Sequence, residues 1–166
     1  MEISYYINHL GLIAHPEGGY YKETYRSKEL ISESALPKRF NDERCFGTAI
    51  YFLLEKNNFS AFHKIKSDEL WHFYAGHTLE VIEITELGEL KITPIGNDLK
   101  AGEVFQYMVP ANTWFGSRVK AGGEYSLVGC TVSPGFDFAD FEMVSKDTLQ
   151  NSFPQHKSII AELTRF

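Results

Sequence analysis

A histidine and a glutamate six residues apart are the side chains of this chain best suited to chemistry. Side chains alternate between the two faces of a strand, so His63 and Ile65 share one face and Lys64 and Lys66 share the other. The two lysines favour water, which turns His63 inward, and Glu69 points inward from the strand after the next turn. A histidine with a carboxylate partner can remove a proton beside a carbonyl group, because the carboxylate fixes the imidazole tautomer and stabilises the imidazolium.

The elements that must position this pair are many short strands separated by turn residues, a pattern typical of a sandwich or barrel. Apolar residues also predict a helix over residues 2–10 and a helical tail with Pro154 in the first turn of a helix. We therefore predict a single domain over residues 1–166, with a barrel at about residues 19–143 and a helical tail at residues 145–166.

Composition and charge limit the class of protein. The 166 residues, 43% of them hydrophobic, suffice for one domain with a core, and the net charge of −6 argues against a nucleic-acid binder. No apolar run approaches the ~20 residues of a membrane span, and the first residues lack the basic start and apolar core of a signal peptide. Two cysteines are too few for a disulfide framework. The expected location is the cytoplasm, with neither nucleic acid nor membrane as a partner.

Several longer phrases resemble one protein family. The spacing from His63 through Glu69 to Gly76 is similar to the first motif of the cupins, and the flanking phrases resemble the single-domain Cupin_5 branch, which has no established reaction. The similarity covers roughly residues 8–143. It implies an all-β fold, the cupin double-stranded β-helix or jelly-roll barrel, with short flanking helices. The phrases are His15–Tyr20 (HPEGGY), Gly47–Leu53 (GTAIYFL), Val109–Trp114 (VPANTW) and Val132–Phe138 (VSPGFDF).

The same resemblance raises the question of a metal. Cupin metals are bound by two His and one Glu of the first motif and a third His of the second motif, but this chain has Ile65 and Phe115 at two of those four positions. A zinc ion needs about four donors, or three donors and a water. We therefore expect no cofactor. If a divalent metal binds, its ligands are expected to be His63, Glu69 and His72, the last turned inward by a bulge.

Metal-free acid–base catalysis is the other chemistry that the resemblance implies. The keto-sugar-nucleotide epimerases are cupins that place a His at the position of His63 and use a Tyr as the acid. We predict His63 as the base, Glu69 as its partner and Tyr107 as the acid. A hydrogen bond between His63 and Glu69 without catalysis is the alternative. Other candidates are Tyr51 and Tyr74 for the acid, and Asp137 and Asp140 for the partner.

Aromatic residues near the same stretch predict a pocket wall, since pockets for rings or sugars are apolar with a few placed polar groups. Trp114 follows a Pro-Ala-Asn turn at the expected barrel mouth, and it is the aromatic residue most expected to touch a ligand. Core packing is the alternative for these aromatics. The predicted ligand-binding residues are Trp71, His72, Gln106 and Trp114, together with Lys22 and Arg26.

Lys22 and Arg26 share a face of the predicted strand over residues 19–26, where they are suited to hold a phosphate or a carboxylate. A solvated edge strand, or charge at a dimer interface, is the alternative for this face. We expect a homodimer, since the N-terminal strand of dimeric cupins often crosses to the partner's sheet. Gly18 and Gly19 allow the close approach that such a crossing needs.

These observations favour a small-molecule-binding cupin of unestablished reaction. The leading hypothesis is a metal-free isomerase or epimerase that acts on a sugar-like or cyclic metabolite, with His63 as the base. Two other classes stay open: a ligand-binding module without turnover, and a metal-dependent cupin oxidoreductase or isomerase.

Overall fold

Two antiparallel sheets face each other in the computed structural model, which describes residues 2–166. The strands are β1 (Ile13–Ala14), β2 (Tyr20–Arg26), β3 (Leu30–Ile31), β4 (Arg44–Cys45), β5 (Thr48–Glu55), β6 (Phe59–Lys64), β7 (Asp68–Gly76), β8 (Leu79–Ile84), β9 (Leu90–Ile95), β10 (Gln106–Val109), β11 (Trp114–Val119), β12 (Tyr125–Ser133) and β13 (Glu142–Met143). The larger sheet has the order β1-β2-β5-β12-β7-β10, and the smaller has the order β13-β6-β11-β8-β9. Strands β3 and β4 form a separate pair.

Short helices flank the barrel. Helix α1 (Glu2–Leu10) lies against one end of the larger sheet, with Leu53 and Leu127 beneath it. Helices α2 (Lys146–Ser152) and α3 (Lys157–Glu162) cover the outer face of the smaller sheet. Within residues 2–166, no helix has the length and apolar character that crossing a membrane requires. The all-β jelly-roll with flanking helices predicted from the sequence is confirmed.

One predicted strand is shorter than its sequence pattern indicates. The apolar residues after Gly102 predict a strand from that glycine, but β10 begins at Gln106. The side chain of Asp98 accepts hydrogen bonds from the backbone N–H groups of Lys100 and Ala101, which stabilises a 3-10 turn there. Gly102 ends this turn with a φ of +84°, a conformation that favours glycine.

Side chains from both sheets meet in the core. Trp71 is almost fully buried, with its ring centroid 5.9 Å from that of Phe52 and 6.3 Å from that of Phe115. Valine, leucine and isoleucine side chains complete this cluster. Burial of large apolar side chains is the main favourable contribution to folding, so this core holds the two sheets in place.

A bulge in β2 changes which of its side chains face the barrel interior. Glu23 pairs with Ile50 of β5, but Ala49 pairs with Tyr25, so Thr24 is an extra residue in the ladder. Arg26 therefore lies on the same side as Glu23. The prediction that Lys22 and Arg26 share a face is wrong, because strict alternation is broken between them.

Candidate functional site

A cavity of about 280 Å³ lies at the end of the barrel interior where β2, β5, β6, β7 and β12 meet. Its wall combines polar and titratable side chains with an equal number of aromatic and aliphatic ones. The polar and titratable members are His15, Glu17, Glu23, Arg26, Thr48, His63, Glu69 and Cys130, and the aromatic members are Tyr21, Phe52, Phe136, Phe138 and Phe141. Ile50, Ile65 and Val132 complete the lining.

His63 is held through both ring nitrogens. Its Nδ1 lies 2.7 Å from the carbonyl oxygen of Ala61 and its Nε2 lies 3.2 Å from Oε2 of Glu17. A carbonyl can only accept, so Nδ1 carries the proton and donates it, and Nε2 faces the Glu17 carboxyl. Burial lowers the pKa of His63, although the nearby Glu69 charge partly opposes this. The imidazole is therefore neutral at neutral pH.

Glu17 has no role in the sequence-based prediction of the site. Its Oε1 accepts a hydrogen bond from Ser60 at 2.9 Å, and its Oε2 lies 3.6 Å from Nδ1 of His15. Burial raises the pKa of Glu17 above its ordinary value. The signal that could have found it is the phrase HPEGGY, in which a carboxylate and a histidine closely precede two glycines.

The Gly18–Gly19 turn carries Glu17 to its position. A Cβ on Gly18 would lie 2.0 Å from the carbonyl oxygen of Phe59, and both glycines have a positive φ. Only glycine tolerates such an approach of backbone to backbone. Arg165, from the far end of the chain, donates through Nε to the carbonyl of Glu17 at 3.0 Å and through Nη2 to the carbonyl of Phe59 at 2.6 Å. These glycines therefore allow a close approach between two segments of the same chain, whereas the sequence predicted a close approach to a partner chain.

Glu69 faces the same cavity from β7 and is 8% exposed. Burial raises its pKa to about 7; the charge of His63 opposes this rise, and the charge of Glu17 adds to it. Within residues 2–166, the Cys130 thiol is the side-chain donor that lowers this pKa, and a thiol is a weak donor. Glu69 therefore keeps free acceptor capacity toward the cavity.

The segment that follows β12 forms the aromatic wall. Arg26 donates through Nη1 to the carbonyl of Phe136 at 3.1 Å, and through Nε and Nη2 to the Glu23 carboxylate at 3.0 and 2.8 Å. A 3-10 turn over Phe138–Asp140 is held by Arg44, whose Nε and Nη2 each lie 2.6 Å from an oxygen of Asp140. These ion pairs set the position of the aromatic side chains.

The structure places the remaining predicted polar residues away from this cavity. Tyr107 points inward as β10 pairs with β7, but its hydroxyl donates to Glu83 and accepts from Lys91 at 2.5 Å, on the side of the barrel formed by β8, β9 and β10. It therefore does not reach His63 as an acid. His72 bonds Thr131 at 3.1 Å and Gln106 at 2.9 Å, on the outer face of the larger sheet.

The other predicted aromatic, acidic and basic residues also lie elsewhere in the structure, in packing contacts, turns or ion pairs. Trp114 packs with the tail helices and lies under the Lys64 ammonium, which is 4.6 Å from the ring centroid. Trp71 belongs to the core, and Lys22 extends toward the Gly11 turn. None of these three lines the cavity, because outward strand faces or core packing hold them elsewhere. The alternative acids Tyr51 and Tyr74 stack edge to face, Asp137 caps a 3-10 turn and Asp140 pairs with Arg44.

The donor set does not fit a cupin metal. Ile65 lines the cavity and the Phe115 ring packs on His63 at 4.2 Å, so both apolar side chains fill positions at which other cupins carry ligands. His72 is turned outward. Among residues 2–166, no three His, Cys, Asp or Glu side chains are grouped to hold an ion.

Two facing antiparallel sheets with a buried His and Glu at one end of the barrel define a cupin. Residues 4–144 match the family described as Cupin_5, Cupin superfamily (DUF985), and the chain belongs to that family. It is similar to the uncharacterized protein YML079W of Saccharomyces cerevisiae, with 33% identity over 143 residues, 81% of this chain and 71% of the yeast protein.

Solved structures of similar proteins have the same fold. A hypothetical protein from Leishmania major has 35% identity and a TM-score of 0.90, with 98% of each chain covered. Protein SO0799 from Shewanella oneidensis has 41% identity and a TM-score of 0.87, with 98% of this chain and 96% of that chain covered. Oxalate decarboxylase from Bacillus subtilis has 16% identity and a TM-score of 0.55 over 90% of this chain and 36% of its own, and shares the fold alone.

The homodimer stays a prediction. On the outer face of the larger sheet, Tyr74 is 51% exposed and Met108 is 44% exposed, beyond the part that α1 covers. We expect sedimentation equilibrium at micromolar concentration to give twice the chain mass of 19.0 kDa. A mass near one chain would contradict this prediction.

Proposed function

We propose that this protein binds a small cyclic metabolite in the cavity and isomerises or epimerises it by moving a proton with Glu69 and His63. The observation that carries the proposal is the Glu69 carboxyl, which is buried, faces the cavity and has a pKa of about 7. A catalytic acid or base is most effective when its pKa lies near the working pH. A carboxylate with only a structural role at the protein surface does not need a buried environment that raises its pKa.

Glu69 takes the first step in this proposal. In its ionised form it removes a proton from a carbon beside a carbonyl group; the C–H bond breaks and its electron pair moves onto the carbonyl oxygen. The sequence predicts His63 as the base, but both of its nitrogens already have partners. Glu69, with a weak thiol donor beside it, is the freer acceptor.

His63 and Glu17 complete the reaction as one unit. They share a proton between Nε2 and Oε2, which lie 3.2 Å apart. This unit returns a proton to the carbon as the carbonyl re-forms. Glu69 then releases its proton to water and the His63–Glu17 pair regains one, so no net proton is consumed. The Nδ1–H bond to Ala61 keeps the ring oriented throughout.

The size of the cavity limits the substrate. An apolar cavity of about 150 Å³ holds benzene, and this one has about 280 Å³. A single substituted ring fits this volume, whereas the whole of a sugar nucleotide does not. The part of the substrate that lies inside the cavity is therefore a single small ring with a carbonyl group.

Hydrogen exchange at carbon tests the proposal on any cyclic carbonyl compound that binds. A panel of such compounds is incubated with the protein in D₂O, and deuterium uptake at carbon is read by mass spectrometry. We expect uptake in the compounds that bind. Replacing Glu69 by Gln should slow it by about 10²–10⁴-fold, while binding of uncharged compounds is kept.

The matched control is Glu83→Gln, which removes another buried carboxyl that does not line the cavity. It should leave exchange unchanged. If ligands bind but the wild-type protein exchanges none of them, the protein is a binding module and the catalytic proposal fails. Full exchange in the Glu69→Gln variant would show that another group is the base.

A further inference from the structure

In the part of the chain that the structure describes, the cavity wall has no unpaired positive charge that could bind an anionic ligand. Among the described residues that line the cavity, Arg26 carries the one fixed positive charge. Its Nε and Nη2 donate to Glu23, and its Nη1 donates to the carbonyl of Phe136. Burial lowers the pKa of both His15 and His63, which favours their neutral forms. A phosphate or carboxylate would thus enter without a counter-charge.

Glu69, on the negative side of the wall, has fewer hydrogen-bond partners than Arg26. Glu17 and Glu69 are 6% and 8% exposed and both face the cavity. Glu17 has Ser60 and His63 as partners, but Glu69 has only the Cys130 thiol among residues 2–166. Burying an ionised carboxylate without a partner is costly, so a cation in the cavity would relieve that cost.

Aromatic faces surround the entrance to this acidic floor. The rings of Phe136 and Phe138 meet edge to face at 5.0 Å, and Phe141 lies 6.1 Å from Phe138. The face of an aromatic ring attracts a cation, and the attraction increases when water is excluded. Flat rings also pack against a ring-shaped ligand. The wall therefore offers apolar contact and negative potential together.

We propose that the cavity binds a single small ring that bears a protonated nitrogen, with the nitrogen against Glu69 and the ring against Phe138 and Phe141. Carboxylated and phosphorylated rings are rejected. The inference rests on the proposed function for the use of this cavity, and it adds the charge of the substrate.

Three probes of nearly equal shape test the charge preference. Benzylamine in its ammonium form, benzyl alcohol and benzoate are titrated into the untagged protein by calorimetry at pH 8. We expect benzylammonium to bind about tenfold tighter than benzyl alcohol, since hydrogen bonds to charged groups are the stronger ones. Benzoate should bind weakest of the three.

Two variants test whether the Glu69 carboxyl, rather than the rest of the wall, sets the charge preference. Glu69→Gln keeps the shape but removes the charge, so it should cut benzylammonium affinity about tenfold and leave benzyl alcohol within about twofold. Glu83→Gln, outside the cavity lining, should change neither affinity. Equal or tighter binding of benzoate, equal binding of all three probes, or no binding of any at millimolar concentration would overturn the inference.

These outcomes are separable from those of the exchange experiment. If the ammonium probe is preferred but no cyclic compound exchanges deuterium, the charge inference holds and the catalytic proposal fails. If exchange occurs on neutral or anionic rings that bind tighter than their ammonium analogues, the catalytic proposal holds and the charge inference fails.

Discussion

Replacing Arg44 by methionine is expected to lower the free energy of unfolding by about 3–5 kcal/mol, because it leaves a buried carboxylate without its partner. The side chains of Arg44 and Asp140 are only 5% and 4% exposed, and two hydrogen bonds of 2.6 Å join them. Lys66 lies 3.3 Å from the same carboxylate but cannot replace the paired guanidinium geometry. Urea denaturation monitored by tryptophan fluorescence measures the change.

Two controls accompany this variant. Lys56→Met removes the exposed ion pair with Glu124, whose atoms are 2.7 Å apart, and should cost less than about 1 kcal/mol. The double variant Arg44→Met/Asp140→Leu removes both charges and should regain most of the lost stability. Equal losses in Arg44→Met and Lys56→Met would contradict the assignment of a structural role to the buried pair.

Replacing Glu69 by glutamine is expected to stabilise the protein relative to wild type at pH 8 by about 3 kcal/mol more than it does at pH 4.5. Burial raises the pKa of Glu69 from its ordinary value of 4.5 to about 7, and each pKa unit corresponds to about 1.4 kcal/mol. Glu69 ionises at a lower pH in the unfolded chain than in the folded protein. The contribution of Glu69 to wild-type stability is therefore fully present below pH 4.5 and is lost as the pH rises to 7. Glutamine has no such dependence.

The readout is the difference between variant and wild-type unfolding free energies at several pH values. Any constant effect of the amide cancels in this comparison. Glu89→Gln replaces an exposed carboxyl and should give a difference within about 0.5 kcal/mol at every pH. A Glu69→Gln difference that is the same at pH 4.5 and pH 8 would falsify the raised pKa. Increased stability on losing this carboxyl is the pattern expected of a functional group.

Strand alternation predicted the faces of the candidate site residues between His63 and His72. It turned His63 and Glu69 inward and His72 outward, as the structure has them. Alternation gives only the face of a side chain, however, and not which strands become neighbours. Tyr107 does not reach His63 because β10 is the edge strand beyond β7, where its hydroxyl meets Glu83 of β8, and this strand order depends on long-range hydrogen bonds.

Two features of the site were beyond the reach of alternation. The bulge at Thr24 brings Arg26 into the cavity, and a single extra residue in a ladder leaves no mark in composition. Glu17 meets His63 only because the Gly18–Gly19 turn lies against β6. The sequence marks those glycines as a turn, but their contact partner is set by tertiary packing.

The clamp on the Glu17 turn has a consequence for the order of assembly during translation. Arg165 donates to the carbonyl of Glu17 from 148 positions further along the chain. Contacts of such large sequence separation form late, since the loop between them must close first. The barrel strands can pair on a nascent chain as they emerge, but the turn that holds Glu17 is locked only after residue 165 has been added.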